Sequence, residues 1–291
     1  MAPASPFINY ALKALKPVDY LLVGHVTQDL LPTGSSRLGG TVTFSGLTAE
    51  RLGQSVGIVT ACESEIDLSS LEPLQVVTVP SSSTTTFRNI STPEGRSQYL
   101  YHPATTLEAS HLPEAWLKPK IVHLGPVASE VDPQIYKAFE DSLICLTAQG
   151  WLRGVDAEGL VHPVDWLYSH DLLKASHACV ISLEDVRGQE EVIEEFAAMC
   201  KLLVVTENKL GARVYWNGDI HCFPAPEVEL VEDTGAGDIF AACFFHRLYT
   251  TRDPWEAARF AVRLAAWSVT RTYLGSIPTS QEIANAQFEI I

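Results

Sequence analysis

The feature that most constrains the fold is a strand–helix–strand pattern near the start of the chain. Residues 18–24 form a short apolar run that ends at a glycine, as a buried strand does. Residues 41–52 carry apolar side chains at helical spacing and are followed by Gly53, a helix-stop residue. A second apolar run, residues 55–61, predicts another strand. Strands joined through a helix run parallel, so the pattern predicts an α/β protein with a parallel sheet.

The later part of the chain repeats this alternation of apolar strands and amphipathic helices. The predicted strands lie at residues 121–125, 143–147, 180–183 and 202–205, and the predicted helices lie at 133–139, 190–199 and 253–273. Residues 211–216 and 219–223 flank Asn217-Gly218 and predict a β-hairpin. Because no repeat or linker divides the chain, residues 1–291 are predicted to form one domain.

One stretch, residues 74–106, breaks the alternation. Its short runs are rich in β-branched and aromatic residues, and Thr92-Pro93-Glu94-Gly95 is a turn signal. We therefore predict a small β structure that stands off the main sheet and acts as a lid, with residues 25–40 as its second segment. Because an open β layer has edges to satisfy, such lids can pair between two subunits, which allows a homodimer.

The hexapeptide at residues 233–238, DTGAGD, carries the clearest chemical signal because it opens an apolar run that predicts a buried helix. Small residues at a helix start leave backbone N–H groups bare, and these groups bind anions with the help of the helix dipole. Gly235, Ala236 and Gly237 are thus the predicted anion hole for a phosphoryl group. Asp238 is the predicted general base for a hydroxyl, although on the residues alone a helix cap explains it equally well.

Composition excludes several functional classes. Lys plus Arg number 20 and Asp plus Glu number 35, which gives a net charge of −15. Such a chain is repelled by nucleic acid and lacks the basic patch that favours anionic membranes. The six cysteines show no Cys-x-x-Cys spacing and predict buried, reduced thiols in a cytoplasmic protein. No apolar run reaches the roughly twenty residues needed to span a membrane.

The hexapeptide at residues 233–238 and the segment that contains Gly39-Gly40 resemble the two signatures of the ribokinase-like (PfkB) carbohydrate kinases. The hexapeptide before a small apolar helix is similar to the C-terminal signature, and Leu38-Gly39-Gly40 with the helix ending Arg51-Leu52-Gly53 is similar to the N-terminal one. The order and spacing match over residues 18–280. The resemblance implies a three-layer α/β/α ribokinase-like fold with a mostly parallel central sheet. It also implies ATP and Mg²⁺ as cofactors and phosphoryl transfer to a hydroxyl of a small polyol or sugar.

Within this family the chain looks most like the myo-inositol kinase-like branch. The segments that carry the likeness are residues 39–44 (GGTVTF), 149–153 (QGWLR) and 211–216 (GARVYW). The likeness favours myo-inositol as the acceptor, with a nucleoside or a ketose sugar as alternatives that keep the chemistry. Another alternative is a catalytically weak ligand-binding or sensing protein on the kinase scaffold. A dinucleotide-binding oxidoreductase is disfavoured because no Gly-x-Gly-x-x-Gly follows the first strand.

The resemblance assigns substrate binding to four residues: Asp29, Gly39, Gly40 and Arg153. Asp29 follows the first predicted strand, where the ligand crevice of a parallel sheet opens, and its carboxylate can accept two substrate hydroxyl hydrogen bonds. The two glycines would let the backbone touch the substrate. Many family members have a sugar-binding Asn at the position of Phe44, so a ribokinase-type sugar contact is not expected there.

The nucleotide loop of the family has the form Thr-x-Gly-x-x-Gly, which reads TENKLG in this chain. The resemblance therefore assigns nucleotide binding to Thr206, Asn208 and Gly211, together with Thr234. Asn208 replaces a glycine, which is tolerable because Asn adopts positive φ more readily than most residues. Only the acidic end of the family's Asn-x-x-Glu motif is present, as Glu184, which is predicted to hold Mg²⁺ through water.

Overall fold

The computed structural model describes residues 14–92, 95–167 and 169–288, which contain strands, α-helices and short 3₁₀ turns. In chain order the strands are β1 (Tyr20–Val23), β2 (Thr27–Leu30), β3 (Ser36–Gly39), β4 (Val56–Cys62), β5 (Gln75–Pro80), β6 (Thr85–Thr92), β7 (Gly95–His102), β8 (Ile121–Leu124), β9 (Leu143–Thr147), β10 (Arg153–Val155), β11 (Val161–Pro163), β12 (Ala178–Ser182), β13 (Leu202–Thr206), β14 (Ala212–Trp216) and β15 (Asp219–Phe223). The α-helices are α1 (Thr41–Arg51), α2 (Ser169–Ala175), α3 (Glu190–Met199), α4 (Ala236–Thr251), α5 (Pro254–Ser268) and α6 (Ser280–Phe288). Among these described helices, none combines the length and the apolar character needed to cross a bilayer.

The large sheet confirms the parallel α/β prediction. Among the described residues it has nine strands in the order β15-β14-β13-β12-β9-β8-β1-β4-β5. The pairings from β13 through to β5 are all parallel. β14 and β15 close one edge as the predicted antiparallel hairpin, and Asn217 and Gly218 at its tip have φ of 53° and 85°. Two successive positive φ values suit the two-residue turn of a right-twisted hairpin.

Apolar layers cover both faces of the large sheet. Along β1, Tyr20 and Leu22 pack into one cluster with α1, α4, α5 and α6, while Leu21 and Val23 pack into a second cluster with α2 and α3. Because successive strand residues point to opposite faces, this division places the two clusters on the two sides of the sheet. The arrangement is therefore the three-layer α/β/α fold.

A separate sheet of four described strands, in the order β3-β2-β6-β7, stands off the large sheet. The predicted lid segments, 25–40 and 74–106, both contribute to it. β5 nevertheless pairs in parallel with β4 in the large sheet, so the off-sheet part of the second segment starts later than predicted. The physical reason is burial, since Val77 and Val79 pack into the core of the large sheet. Within the predicted turn, Pro93 and Glu94 lie outside the described residues.

Two helix predictions need correction. Residues 133–139 form only a 3₁₀ turn at Ile135–Ala138, since a segment this short gains little from helical hydrogen bonds. Helix α5 ends at Ser268, before its predicted end at Tyr273. The N–H groups of Val231 and Glu232, just before the hexapeptide, donate to the carbonyl oxygen of Val269 at 2.8 and 3.1 Å. The carbonyl group at the end of the helix is therefore bound by another segment of the chain.

The six cysteines carry free thiols, which confirms the prediction of reduced cysteines. Four of them are buried as expected, whereas Cys200 is half-buried and Cys222 is exposed on β15. The prediction of buried thiols was wrong for these two, because Cys200 follows the end of α3 and Cys222 lies on edge strand β15, where the first four residues are exposed.

Candidate active site

Helix α4 begins at the hexapeptide without a side-chain cap. Gly235 is the N-cap residue and has φ of 83°. A Cβ atom on Gly235 would lie 2.4 Å from the ring of Phe44, so glycine is required there both for its conformation and for its size. A Cβ atom on Gly237 would meet nothing within 4 Å. The N–H group of Ala236 donates to the carbonyl oxygen of Asp233 at 3.1 Å, so this predicted anion-hole donor is already used within the turn. No side chain caps the helix start, and the helix dipole favours an anion there.

Asp238 lies in the first turn of α4 and is half-buried. Burial raises the pKa of Asp238 from the ordinary 3.8 to about 6, and the carboxylates of Asp29 and Asp185 add to the rise. A hydrogen bond from Thr41 and the positive charge of Arg153 act in the opposite direction. A carboxylate with a pKa close to neutrality is suited to general-base catalysis.

Asp29 and the glycine pair of the small sheet lie close together. A Cβ atom on Gly39 would lie 2.5 Å from Asp29 Oδ2. Gly40 has φ of 89°, and a Cβ atom there would lie 2.4 Å from the carbonyl oxygen of His25. Gly40 is also the N-cap residue of α1, which has no side-chain cap. Because Asp29 influences the pKa of Asp238, the structure brings these predicted substrate and base residues into one crevice.

Arg153 begins β10 and supplies positive charge to the same crevice. Its guanidinium lowers the pKa of both Asp238 and Asp185. Burial raises the pKa of Asp185, although Arg153, the N–H group of Ser182 at 2.8 Å and the side chain of Gln149 oppose that rise. Sequence reasoning missed Asp185 as a site residue. The available signal was its position just after β12, at the carboxyl edge of the sheet where ligands bind.

The residues predicted to bind nucleotide follow the next strand of the sheet. Thr206 ends β13, and Asn208 has φ of 50°, which confirms that Asn accepts the backbone conformation of the glycine it replaces. The side-chain amide of Asn208 donates a hydrogen bond to Glu184 Oε1 at 2.8 Å. Gly211 has φ of 101°, and a Cβ atom there would lie 1.9 Å from the carbonyl oxygen of Phe223. Glycine is therefore needed at position 211, where the loop passes very close to the backbone of Phe223.

Glu184 is the residue predicted to hold Mg²⁺ through water. It is exposed, and one of its carboxylate oxygens accepts the bond from Asn208. Among the described residues, no group of three or more His, Cys, Asp or Glu side chains could hold a metal ion. Mg²⁺ in kinases commonly takes one or two carboxylates and completes its shell with waters and substrate phosphates. Glu184 fits that limited role, which stays a prediction.

An ion pair that sequence reasoning missed lies beside Thr234. Arg37 on β3 binds the carboxylate of Glu232, and its Nη2 atom lies 3.4 Å from Thr234 Oγ1. The guanidinium carbon of Arg37 lies 5.1 Å from the centre of the Tyr273 ring. Arg37 and Glu232 are 195 positions apart in the chain, and no local pattern marks either of them.

Phe44 has a structural place beneath the hexapeptide turn. Its ring packs under Gly235 and meets the ring of Tyr273 edge to face, with 6.3 Å between the ring centres. The side chain is fully enclosed. An apolar ring in this position supports the turn and offers no hydrogen bond to a sugar hydroxyl.

The known proteins to which this chain is similar are kinases. The profile described as pfkB family carbohydrate kinase matches residues 169–281, which include the hexapeptide, so this part of the chain is similar to that family. The cytidine kinase of Thermococcus kodakarensis is 23% identical over 290 residues, covering 87% of this chain and 99% of that protein. The ribokinase of Bacillus subtilis is 37% identical over 93 residues, which is 32% of each chain.

Solved structures show the fold. One is a pyrophosphate-dependent kinase in the ribokinase family, complexed with a pyrophosphate analog and myo-inositol, with a TM-score of 0.76 and 20% identity over 91% of this chain and 99% of that one. Another is the ribokinase of Arabidopsis thaliana complexed with ribose and ATP, with a TM-score of 0.70 and 17% identity over 94% of this chain and 99% of that one. At such identities the likeness shows the fold alone, which is ribokinase-like.

Proposed function

We propose that this protein is a kinase that transfers a phosphoryl group to a hydroxyl group of a small polyol, sugar or nucleoside. The observation that carries the proposal is the position of Asp238, whose pKa is about 6, in the first turn of an uncapped helix. A base and an anion-binding turn at the same place suit a reaction that removes a proton while negative charge develops on phosphate.

The proposed mechanism assigns one task to each part of the crevice. Asp29 and the backbone at Gly39 and Gly40 hold the acceptor with one hydroxyl facing Asp238. Asp238 accepts the hydroxyl proton as the acceptor oxygen forms its bond to phosphorus and the bond between phosphorus and the leaving phosphate oxygen breaks. The turn at 235–237 stabilises the transferring group through N–H donors. Most of the rate gain then comes from positioning and charge stabilisation, as phosphoryl transfer requires.

ATP is the proposed donor, and the loop of Thr206, Asn208 and Gly211 is its proposed binding segment, with Thr234 beside the phosphates. The Arabidopsis ribokinase structure with ATP supports this choice. A structural neighbour that depends on pyrophosphate makes pyrophosphate the second candidate donor. When bound, Mg²⁺ would neutralise donor charge, and Glu184 is the residue proposed to hold it through water.

Myo-inositol is the proposed acceptor, with cytidine and a ketose sugar as the other candidates. The neighbour complexed with myo-inositol supports the first choice. The cytidine kinase relative and a fructokinase of Escherichia coli, 27% identical over 199 residues, support the other two. A catalytically weak ligand-binding or sensing protein is the remaining alternative.

We further propose that residues 1–291 work as one kinase domain, active in the cytoplasm, with the small sheet as a lid over the acceptor. The edge strands of that sheet, β3 and β7, are the surface proposed to pair with a second copy. Light scattering on the purified protein tests the homodimer, and a monomeric mass at micromolar concentration contradicts it.

The proposed function is tested by measuring phosphorylated product with each pairing of donor (ATP or pyrophosphate) and acceptor (myo-inositol, cytidine, fructose or ribose). Asp238→Asn is expected to lower kcat by about 10²–10⁴-fold, the usual contribution of a general base. Asp253→Asn is the matched control, because it makes the same change at the start of α5, where Asn caps a helix as well as Asp does. Turnover in Asp238→Asn close to wild type contradicts the role of Asp238. Donor binding without turnover of any acceptor favours the sensing protein.

A further inference from the structure

Arg37 joins two parts of the proposed site that are far apart in the chain. It lies on β3, two positions before Gly39, and faces Asp29 across the β2–β3 pairing. Its guanidinium binds Glu232, the residue immediately before the hexapeptide. The side chains of Arg37 and Glu232 are only 23% and 20% exposed, so solvent screens their attraction less than it would at the surface. We propose that Arg37, acting through Glu232, is a positioning residue that holds the 233–238 turn against the acceptor-binding strands.

Glu232 is suited to transmit this restraint because several partners fix its carboxylate. One oxygen binds Arg37, and the other accepts the N–H group of Tyr273 at 3.1 Å. Burial by itself would raise the pKa of Glu232, but the hydrogen bonds from Arg37 and Thr234 outweigh it and hold the pKa below the ordinary value. Glu232 is therefore ionised at neutral pH, and removing Arg37 would leave a half-buried carboxylate without its countercharge.

Tyr273 provides a second connection between the small sheet and the turn. Its ring lies beneath the guanidinium of Arg37, and its phenol oxygen hydrogen-bonds the backbone of Leu38 on the same strand. The ring also meets Phe44, which packs under Gly235. Tyr273 has φ of 50°, an unusual conformation for a bulky residue that surrounding contacts must maintain. The ion pair and the edge-to-face rings of Tyr273 and Phe44 thus both contact the region of the turn.

The protein contains a matched ion pair far from the site. Arg247 of α4 binds Glu256 of α5 at 2.6 Å, with exposures of 18% and 15%, and its guanidinium carbon lies 5.3 Å from the centre of the Phe260 ring. The burial is similar to that of Arg37, Glu232 and Tyr273, although Glu256 also lies 3.7 Å from Arg259 Nε. Arg247 lies nine positions beyond Asp238 in the same helix, about 14 Å along its axis at 1.5 Å per residue. Arg247→Met is therefore a control for the loss of a half-buried ion pair as such.

The first test uses the protein alone, so it does not depend on turnover. Hydrogen exchange is measured by mass spectrometry on peptides that cover the 233–240 region and β2–β3, in wild type, Arg37→Met, Glu232→Gln and Arg247→Met. We expect exchange in both regions to rise about tenfold or more in the first two variants and to stay at the wild-type rate in Arg247→Met. Unchanged exchange in the turn of Arg37→Met and Glu232→Gln would overturn the inference. Glu232→Gln keeps the side-chain shape, so it remains informative if Arg37→Met fails to fold.

The second test rests on the proposed function and separates positioning from stability. Arg37→Met and Glu232→Gln are expected to lower kcat by roughly 10–100-fold and to change the acceptor KM by less than about threefold, because a displaced turn harms the reacting geometry. The double variant is expected to lose no more than either single one, and Arg37→Lys to recover part of kcat. A lower melting temperature with wild-type kcat, as expected for Arg247→Met, would reduce Arg37 to a structural role and overturn the inference. If wild type phosphorylates no acceptor, the proposed function fails, and the exchange experiment alone decides whether Arg37 positions the turn.

Discussion

Helices α4 and α5 are neighbours in the chain and pack against each other, but they begin in opposite ways. Helix α5 starts with a side-chain cap, since Asp253 Oδ1 accepts the N–H groups of Trp255 at 2.8 Å and Glu256 at 3.2 Å. Helix α4 starts at Gly235 with no side-chain cap, as α1 does at Gly40. The two helices that open onto the proposed site thus leave their N-terminal donors uncapped, whereas the helix that opens away from it satisfies them. We infer that the missing caps at Gly40 and Gly235 serve the proposed site, although a missing side-chain cap alone does not mark a site, since α3 also lacks one at Gln189.

Among changes at these helix starts, Gly235→Ala is expected to have the largest effect on the free energy of unfolding. A left-handed conformation costs a residue with a side chain about 1–2 kcal/mol, and the contact with Phe44 adds an overpacking cost of about 1–3 kcal/mol. We therefore expect a loss of about 3 kcal/mol in the free energy of unfolding, measured with urea. Gly237→Ala, which meets open space, is expected to change it by less than about 1 kcal/mol. Equal losses in the two variants would show that the turn is not held by its packing on Phe44.

The next effect is a gain in stability from Asp238→Asn. The folded state holds the Asp238 proton more tightly than the unfolded chain, so the ionised carboxylate destabilises the fold above pH 6. A shift from 3.8 to about 6 corresponds to at most about 3 kcal/mol, and partial exposure of the residue reduces this to about 2 kcal/mol. The gain over wild type is expected at pH 8 and should shrink as the pH falls from 6 to 4, because wild type is then protonated too. Thermal unfolding at several pH values measures it, and no gain at pH 8 contradicts the raised pKa.

Asp253→Ala is expected to lower the stability of the protein and to leave kcat unchanged. Loss of a helix cap typically costs about 1 kcal/mol, with no change in kcat because α5 starts away from the site. Urea unfolding and steady-state kinetics on the same preparation measure both quantities. Asp253 would then stabilise the fold, whereas the ionised carboxylate of Asp238 would destabilise it. A fall in kcat for Asp253→Ala would remove the functional distinction between the two helices.

The smallest effect concerns the pH dependence of the rate. Asp238 accepts a proton only when ionised, so kcat/KM is expected to fall below an apparent pKa near 6. Arg153 favours the ionised form, so Arg153→Met should move this acidic limb to higher pH. The rate of Arg153→Met relative to wild type should then be lower at pH 6 than at pH 8 by a few-fold, beyond any uniform loss. An acidic limb at the same pH in both proteins contradicts the electrostatic coupling.

Local sequence patterns were sufficient to predict the parallel α/β architecture of this molecule. The inner strands of the large sheet, such as β1, β4 and β8, are apolar runs buried on both faces. Gly40 and Gly235 mark backbone that few other residues allow, because both have positive φ and no room for a Cβ atom. β5 was assigned to the lid because a half-buried edge strand and a strand of a small sheet have the same composition. Asp185 was missed although its place after β12 was a usable signal. Arg37 and Glu232 could not have been found from sequence, because their importance arises only when distant segments meet.

The contact between Phe44 and Gly235 limits which substitutions position 44 can accept. Many kinases of the ribokinase-like family that the sequence resembles have a sugar-binding Asn at this position. In this chain the same exchange, Phe44→Asn, would remove a buried ring of the kind that costs about 3–5 kcal/mol when lost and would open a cavity under the catalytic turn. A change made at this position to gain an acceptor contact would therefore also disturb the turn above it. Any attempt to graft the selectivity of a relative onto this scaffold needs compensating changes at Tyr273 or in the turn itself.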